Sequence, residues 1–248
     1  MNTLFTGKII HHKAVVDSTN IWADKEVKNG KVLEGTIYRA DVQTQGKGQR
    51  GRVWASDQGR NLLVSFVFHP NFLKSDEQFT LIKAVSIAIK DTLDPYLIDK
   101  AKIKWPNDIY VNDTKIAGVL IESTLKGPYL GTSIIGIGIN VNQQNFENAL
   151  NATSVMLEIG RGVDLDRFLV ELSQNMEHRY LAIKSKISVI DKVYHDSLFR
   201  LGEACDYKIG DVQIEMTNRG VDSIGQILLE DKQGRINAYG LHQVSMVI

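Results

Sequence analysis

A single cysteine, Cys205, occurs in the 248 residues, so no intrachain disulfide can form. A reducing cytoplasm is therefore the expected compartment. Cys205 itself reads as a small buried apolar residue, not a nucleophile. Charge surplus is missing too: Lys+Arg and Asp+Glu both number 29, for a formal net charge of zero. A general nucleic-acid binder carries a basic excess, so no DNA partner is expected. No apolar run approaches the ~20 residues of a membrane span, so no membrane partner is expected. The opening Met1-Asn-Thr-Leu-Phe-Thr-Gly-Lys lacks the apolar stretch of a secretory signal. The six histidines (11, 12, 69, 178, 195, 242) have no metal-ligand spacing. Repeats, low-complexity runs and flexible linkers are also absent. What is left, 43% hydrophobic and 23% charged residues, is an ordinary globular composition, long enough for one large domain plus a small one.

The pattern along the chain predicts an α+β fold with a central mixed or antiparallel sheet flanked by helices. Ile9 to Val16 reads as a strand, followed by a helix capped at Asp17-Ser18-Thr19 and stopping at Gly30. Gly35 to Val42 is a second strand, and the continuously apolar Asn61 to His69 belongs in the sheet centre. Ser75-Asp-Glu-Gln78 has the letters of a capping box, and Phe79, Ile82, Val85, Ile89 and Leu93 follow at helical spacing. Residues 101–141 read as antiparallel strands, with a hairpin at Asn112-Asp113-Thr114. Helices are expected over Asp164–Lys184 and about Ile187–Leu201. From Asp206 on, short strands alternate with turn formers at Gly210-Asp211, Asn218-Arg219-Gly220 and Lys232-Gln-Gly234, which suggests a small β-barrel. The domain reading is 1–202 and 203–248.

Chemistry concentrates in Gly46-Lys47-Gly48-Gln49-Arg50-Gly51-Arg52-Val53-Trp54. Three glycines let the backbone approach a ligand, while its N–H groups and the cationic heads suit a phosphate chain. The indole adds a flat face for a base. The same letters fit G-x-G-x-x-G, but no helical period follows Gly51 and the preceding Asp41–Gln45 is too polar for a buried parallel strand. Other segments are ambiguous when read singly. Lys115 could be an ordinary surface strand lysine, Pro106-Asn107-Asp108 a plain turn, and Ser18-Thr19-Asn20 only a helix cap.

Taken together they are more telling. Asp17-Ser-Thr-Asn20, Gln43 with the glycine loop, Lys104-Trp-Pro-Asn-Asp108, Lys115-Ile-Ala-Gly-Val-Leu-Ile-Glu122 and Gly136-Ile-Gly-Ile-Asn-Val-Asn142 stand in an order that resembles biotin protein ligases. The resemblance runs from about residue 9 to the C-terminus. It implies a class II synthetase-like catalytic domain followed by an SH3-like barrel. It also implies an activity: biotin and MgATP give biotinyl-5′-AMP and pyrophosphate, and biotin then passes to one lysine of a biotin carboxyl carrier protein. The ligase would be a monomer or homodimer. Some relatives carry an N-terminal helix-turn-helix, but here catalytic-type sequence starts within the first dozen residues.

Site residues follow by the same resemblance. Lys115, Arg50 and Asp108 are the expected catalytic groups, with Asp108 a candidate for Mg2+ or for the incoming lysine amine. Biotin is expected to meet Ser18, Thr19, Asn20, Gln43, Gly46, Lys47, Trp105, Lys115, Gly118 and Gly136. ATP and the adenylate are expected at Lys47, Gly48, Gln49, Arg50, Arg52, Trp54, Asn107, Lys115 and Asn140. The loop departs from the family's usual Gly-Arg-Gly-Arg-x-Gly-Arg at Lys47 and Gln49. Lysine keeps the charge but loses the bidentate fork, and glutamine loses both. A lipoate or octanoate ligase shares the fold, but its Arg-Arg-x-x-Gly-Gly-Gly run and a transfer nucleophile are not found.

Overall fold

The computed structural model describes residues 2–48, 53–146, 151–185 and 187–248. The predicted Gln49, Arg50 and Arg52 lie outside the described residues. Seven strands form the main sheet: β1 (Ile10–Val16), β2 (Thr36–Gln43), β3 (Leu62–Phe68), β4 (Lys102–Lys104), β5 (Asp108–Val111), β6 (Thr114–Lys126) and β7 (Tyr129–Ile139). Their order is β1-β2-β3-β7-β6-β5-β4. Only the β1–β2 pair is parallel, so the sheet is mixed. Every residue of β3 is buried, as its unbroken apolar run requires for a strand covered on both faces. The β5–β6 hairpin turns on Asn112 and Asp113, and Asn112 takes φ 50, a conformation asparagine tolerates well.

The two-residue period of the strands sends alternate side chains to opposite faces. Leu62, Val64, Phe66 and Phe68 join the large core with Ile135, Ile137 and Ile139. That face is covered by α2 (Gln78–Leu93), α4 (Leu165–Ile183) and α5 (Ile187–Asp196). The other face of the same strands meets α1 (Thr19–Asn29), whose Ala23 packs with Tyr38, Val67 and Ile134. Across this second face run two rows, Tyr38–Ser65–Gly136–Leu120 and Ala40–Leu63–Gly138–Gly118. A short helix, α3 (Val155–Ile159), follows the sheet, capped by the Ser154 hydroxyl and by a left-handed Gly160; it was not expected from the sequence.

Several local expectations are corrected. The predicted capping box at Ser75 is shifted by one residue: a 3-10 turn over Ser75–Glu77 precedes α2, and the Glu77 carboxylate accepts from the Lys74 backbone N–H at 2.9 Å. Gly30 ends α1 in extended backbone, so its stop does not depend on glycine's left-handed freedom. The last large helix ends at Asp196, short of Leu201.

The C-terminal segment forms a second, five-stranded antiparallel sheet. It comprises β8 (Ala204–Ile209), β9 (Val212–Val221), β10 (Ile227–Glu230), β11 (Ile236–Tyr239) and β12 (Val244–Met246), in the order β11-β10-β9-β8-β12. The turn expected at Asn218-Arg219-Gly220 lies inside β9 instead. There the Asn218 side chain accepts from the Gly220 N–H at 2.9 Å, and the register to β10 shifts. These turn formers build a bulge. The real turn is Asp222–Gln226, held by Asp222 Oδ1 accepting from the N–H groups of Ile224 and Gln226.

That turn also docks the small sheet. Gly225 sits at φ +89, and a Cβ there would meet the Phe79 ring at 2.2 Å. Its carbonyl accepts from the Trp105 indole N–H at 2.9 Å. Trp105 packs against both hydrophobic cores, so one side chain joins the two sheets.

Candidate active site

A cavity of about 340 Å³ opens between the α1 face of the large sheet and the small sheet. Ser18, Thr19, Asn20, Gln43, Lys47, Gly48, Trp54, Trp105, Asp108, Lys115, Gly118 and Gly136 all line it. The ambiguous segments of the sequence therefore converge on one place, although they come from five separate stretches of chain.

One corner is polar. Thr19 donates to Gln43 Oε1 through its backbone N–H at 2.7 Å, and its hydroxyl oxygen lies 3.1 Å from the same atom. Gln43 thus fills the capping role expected of Ser18, whose side chain makes no cap bond although its backbone has the extended N-cap geometry. The Ser18 hydroxyl is left to face the cavity. Asn20 is committed elsewhere: its Nδ2 donates to Glu122 Oε2 at 2.7 Å and to Leu120 O at 3.3 Å, while its Oδ1 accepts from Ser65 at 2.6 Å.

The opposite corner is ionic and aromatic. Lys115 Nζ lies 2.6 Å from Asp108 Oδ1 and 5.6 Å from the centre of the Trp54 ring. Asp108 is the one carboxylate lining the cavity among the described residues. Trp54 is anchored by its N–H to Gly46 O at 2.9 Å, and Gly46 is glycine because a Cβ would strike Trp54 O at 2.5 Å. The indole lies flat over the second glycine row. A Cβ on Gly138 would fall 2.5 Å from Trp54 Cε2, and one on Gly118 3.0 Å from its Cζ3. Room at Gly136 is likewise occupied, here by the Asn20 amide, 2.3 Å from where a Cβ would sit. The sheet glycines thus seat Asn20 and Trp54 deep against the sheet.

Three of the predicted positions among the described residues do not line the cavity. Asn107 is buried, with its Nδ2 donating to Val119 O at 2.6 Å; Asn140 is buried and donates to Thr153 O at 3.1 Å. Both hold strands in place beside the site. Gly46 also lies outside the lining and acts through Trp54. Sequence reading missed Ser65, Glu122 and Gly138, although strand alternation would have put Ser65 and Gly138 on the site face. It also missed the whole C-terminal wall: Tyr207, Ile227, Val244 and Met246 line the cavity from the small sheet. The Trp54 indole N–H and the Tyr207 hydroxyl are both buried without a hydrogen-bond partner among the described residues. Burial, followed by the nearby Cys205, holds the Tyr207 phenol above its ordinary pKa.

Residues 13–140, which supply all of the site except the C-terminal wall, match the model of the biotin/lipoate A/B protein ligase family. The chain belongs to that family. It is a ligase, and its relatives match it over almost its whole length. The bifunctional ligase/repressor BirA of Bacillus subtilis is 31% identical over 241 residues, covering 94% of this chain and 73% of the relative. The biotin–[acetyl-CoA-carboxylase] ligase of Paracoccus denitrificans is 29% identical over 232 residues, covering 90% and 94%. In three dimensions the chain is similar to the Aquifex aeolicus biotin protein ligase in complex with biotin and ATP. The TM-score is 0.81 at 27% identity, with 97% of this chain and 99% of that one covered. The match includes the small C-terminal sheet as well as the large one. No helix of the described residues is long and apolar enough to cross a membrane.

Proposed function

We propose that this ligase activates biotin with MgATP and transfers it to a lysine of a biotin carboxyl carrier protein, within a catalytic unit of residues 1–202 completed by a C-terminal unit of 203–248. The carrying observation is that a polar corner suited to a cyclic urea and a Lys–Asp–Trp corner suited to an adenylate share one cavity. In the first half-reaction a biotin carboxylate oxygen attacks the α-phosphorus of ATP, the bond to the bridging oxygen breaks, and pyrophosphate leaves. Two anions must meet, so fixed cations and donors contribute most of the rate. Lys115 supplies the cation at the meeting point, with Lys47 at the cavity rim. Trp54 offers its ring to the base and its unpaired N–H to an acceptor on the nucleotide.

In the second half-reaction the acceptor lysine amine attacks the biotinyl carbonyl carbon, the acyl–phosphate bond breaks, and AMP leaves. The ammonium must first lose a proton, and Asp108 is the cavity carboxylate available to take it. Magnesium commonly reaches such sites through one carboxylate and substrate phosphates, and the donor set here fits that pattern, with Asp108 as its protein ligand. Bound there, it would neutralise triphosphate charge.

The test is pyrophosphate release in MgATP with biotin, with lipoate, or with neither. Release that depends on biotin supports the reading. Equal turnover with lipoate, or turnover without ATP, overturns it.

A further inference from the structure

Behind the polar corner a hydrogen-bond chain runs away from the cavity. Ser65 is fully buried on β3 (0% exposed), and Thr19 and Asn20 are each 3% exposed. The Ser65 hydroxyl stands 2.8 Å from Thr19 Oγ1 and 2.6 Å from Asn20 Oδ1. Asn20 is fixed from its far side, because the Leu120 carbonyl and the Glu122 carboxylate take its two N–H groups. An amide held this way cannot turn over, since its oxygen would then face two acceptors. Its Oδ1 must therefore point at Ser65. The chain of partners runs from the exposed Glu122 through Asn20, Ser65 and Thr19 to Gln43.

This chain decides what the cavity offers. Because the single Ser65 proton goes to Asn20 Oδ1, the proton between the Ser65 and Thr19 hydroxyls must be Thr19's, so toward the cavity Thr19 has only a lone pair to present. Gln43 Oε1 is held by the Thr19 backbone N–H at 2.7 Å, so its amide has the Nε2 N–H groups to present. An acceptor beside a donor complements a cyclic urea, which offers a ring N–H beside a carbonyl oxygen. It mismatches an analogue in which that carbonyl is replaced by a protonated imine. The geometry points to Ser65 and Glu122 as positioning residues that set the donor–acceptor polarity of the ureido site. The inference rests on the biotin reading above and deepens it.

Two substitutions test it, Ser65→Ala and Glu122→Ala. The first removes the hydroxyl linking Thr19 to Asn20; the second removes the carboxylate that fixes the Asn20 amide. Each should raise KM for biotin about ten-fold, in line with the loss of one buried network bond. KM for ATP and kcat should stay within about two-fold of wild type. The preference for biotin over 2-iminobiotin should shrink in both. Because the two act through one relay, the double variant should be no worse than about the poorer single variant.

A purely structural role would move KM for biotin and for ATP together and leave the imino discrimination unchanged. That result overturns the proposal, as would wild-type KM for biotin in both folded variants or effects that multiply in the double variant. Should Ser65→Ala fail to fold, Glu122→Ala on the exposed strand decides alone. Wild-type protein without biotin-dependent pyrophosphate release would refute the functional reading instead, a distinguishable outcome.

Discussion

Gly138→Ala isolates what the glycine row does. Gly138 has no positive φ, so alanine fits the β7 backbone and only the added methyl matters. That methyl would fall 2.5 Å from Trp54 Cε2 and 2.8 Å from Cζ2 and Nε1. Carbon atoms pack comfortably at about 3.5–4.0 Å, so the indole must rise by about 1 Å or tilt. The β7 backbone is paired on both sides, to β3 and β6, and has little room to yield. Trp54 is the partner that moves. Overpacking of this kind costs about 1–3 kcal/mol. For a protein of this size that is a fall in Tm of roughly 2–12 °C. Displacing a substrate-holding group by about 1 Å costs up to about 100-fold in rate. Steady-state pyrophosphate release should therefore show KM for ATP raised by about 10- to 100-fold, with KM for biotin moved much less. Trp54→Ala removes the obstacle, so Gly138→Ala should add little in that background. A Gly138→Ala enzyme with wild-type KM for ATP, or one whose defect multiplies with that of Trp54→Ala, would refute the seating of the indole on this glycine.

Three further outcomes can be checked. Lys115→Ala should slow biotin adenylation by about 100-fold or more while Tm stays near wild type, and a wild-type single-turnover rate would reduce Lys115 to a surface strand lysine. Gly225→Ala combines a left-handed backbone with a 2.2 Å approach to the Phe79 ring. It should lower Tm on the order of 5–10 °C, and an unchanged melting curve would mean that the turn is not docked this way. Glu177 is buried, which alone would raise its pKa, but it accepts N–H bonds from Leu4, Phe5 and Thr6 that hold it below the ordinary value of 4.5. A depressed folded pKa contributes stability present above pH 4.5 and lost as the pH falls through the folded value. Urea titrations should thus show wild type losing more stability than Glu177→Gln as the pH falls below 4.5, whereas parallel losses would remove Glu177 from the account.

Much of this molecule was legible because local physics and final structure agree. The uninterrupted apolar run at 61–69 could only be a central strand, and β3 is buried along its whole length. Of the stripe Phe79, Ile82, Val85, Ile89 and Leu93, four are buried on α2 and Ile82 is half-buried against the same core. Where reading went astray, one residue type had two physical uses. Asn218 and Gly220 have turn chemistry, but the same left-handed freedom makes a bulge when a strand continues past it. Ser18 is an excellent helix cap by composition, yet a glutamine 25 positions on reaches the same N-terminus and releases the hydroxyl. Nothing local in the sequence signals that exchange, because the competitor comes from β2.

The C-terminal wall was illegible for a different reason. Tyr207, Ile227 and Val244 alternate inward on their strands like any small-sheet core, and three of the six buried residues of that core also line the cavity. Packing and ligand exposure coincide there, so no sequence pattern separates them. What turns this core into a wall is its docking, in which the Gly225 turn is seated against Phe79 and bonded to Trp105. Trp105 contributes its ring to the cavity and its N–H to the small sheet, so the same side chain that bounds the ligand space sets the distance to the opposite wall. The Lys-Trp-Pro-Asn-Asp segment therefore serves the cavity and the architecture at once. Asp108 lines the cavity and pairs with Lys115, Asn107 ties the segment to β6, and Trp105 closes the cavity by holding a second sheet in place.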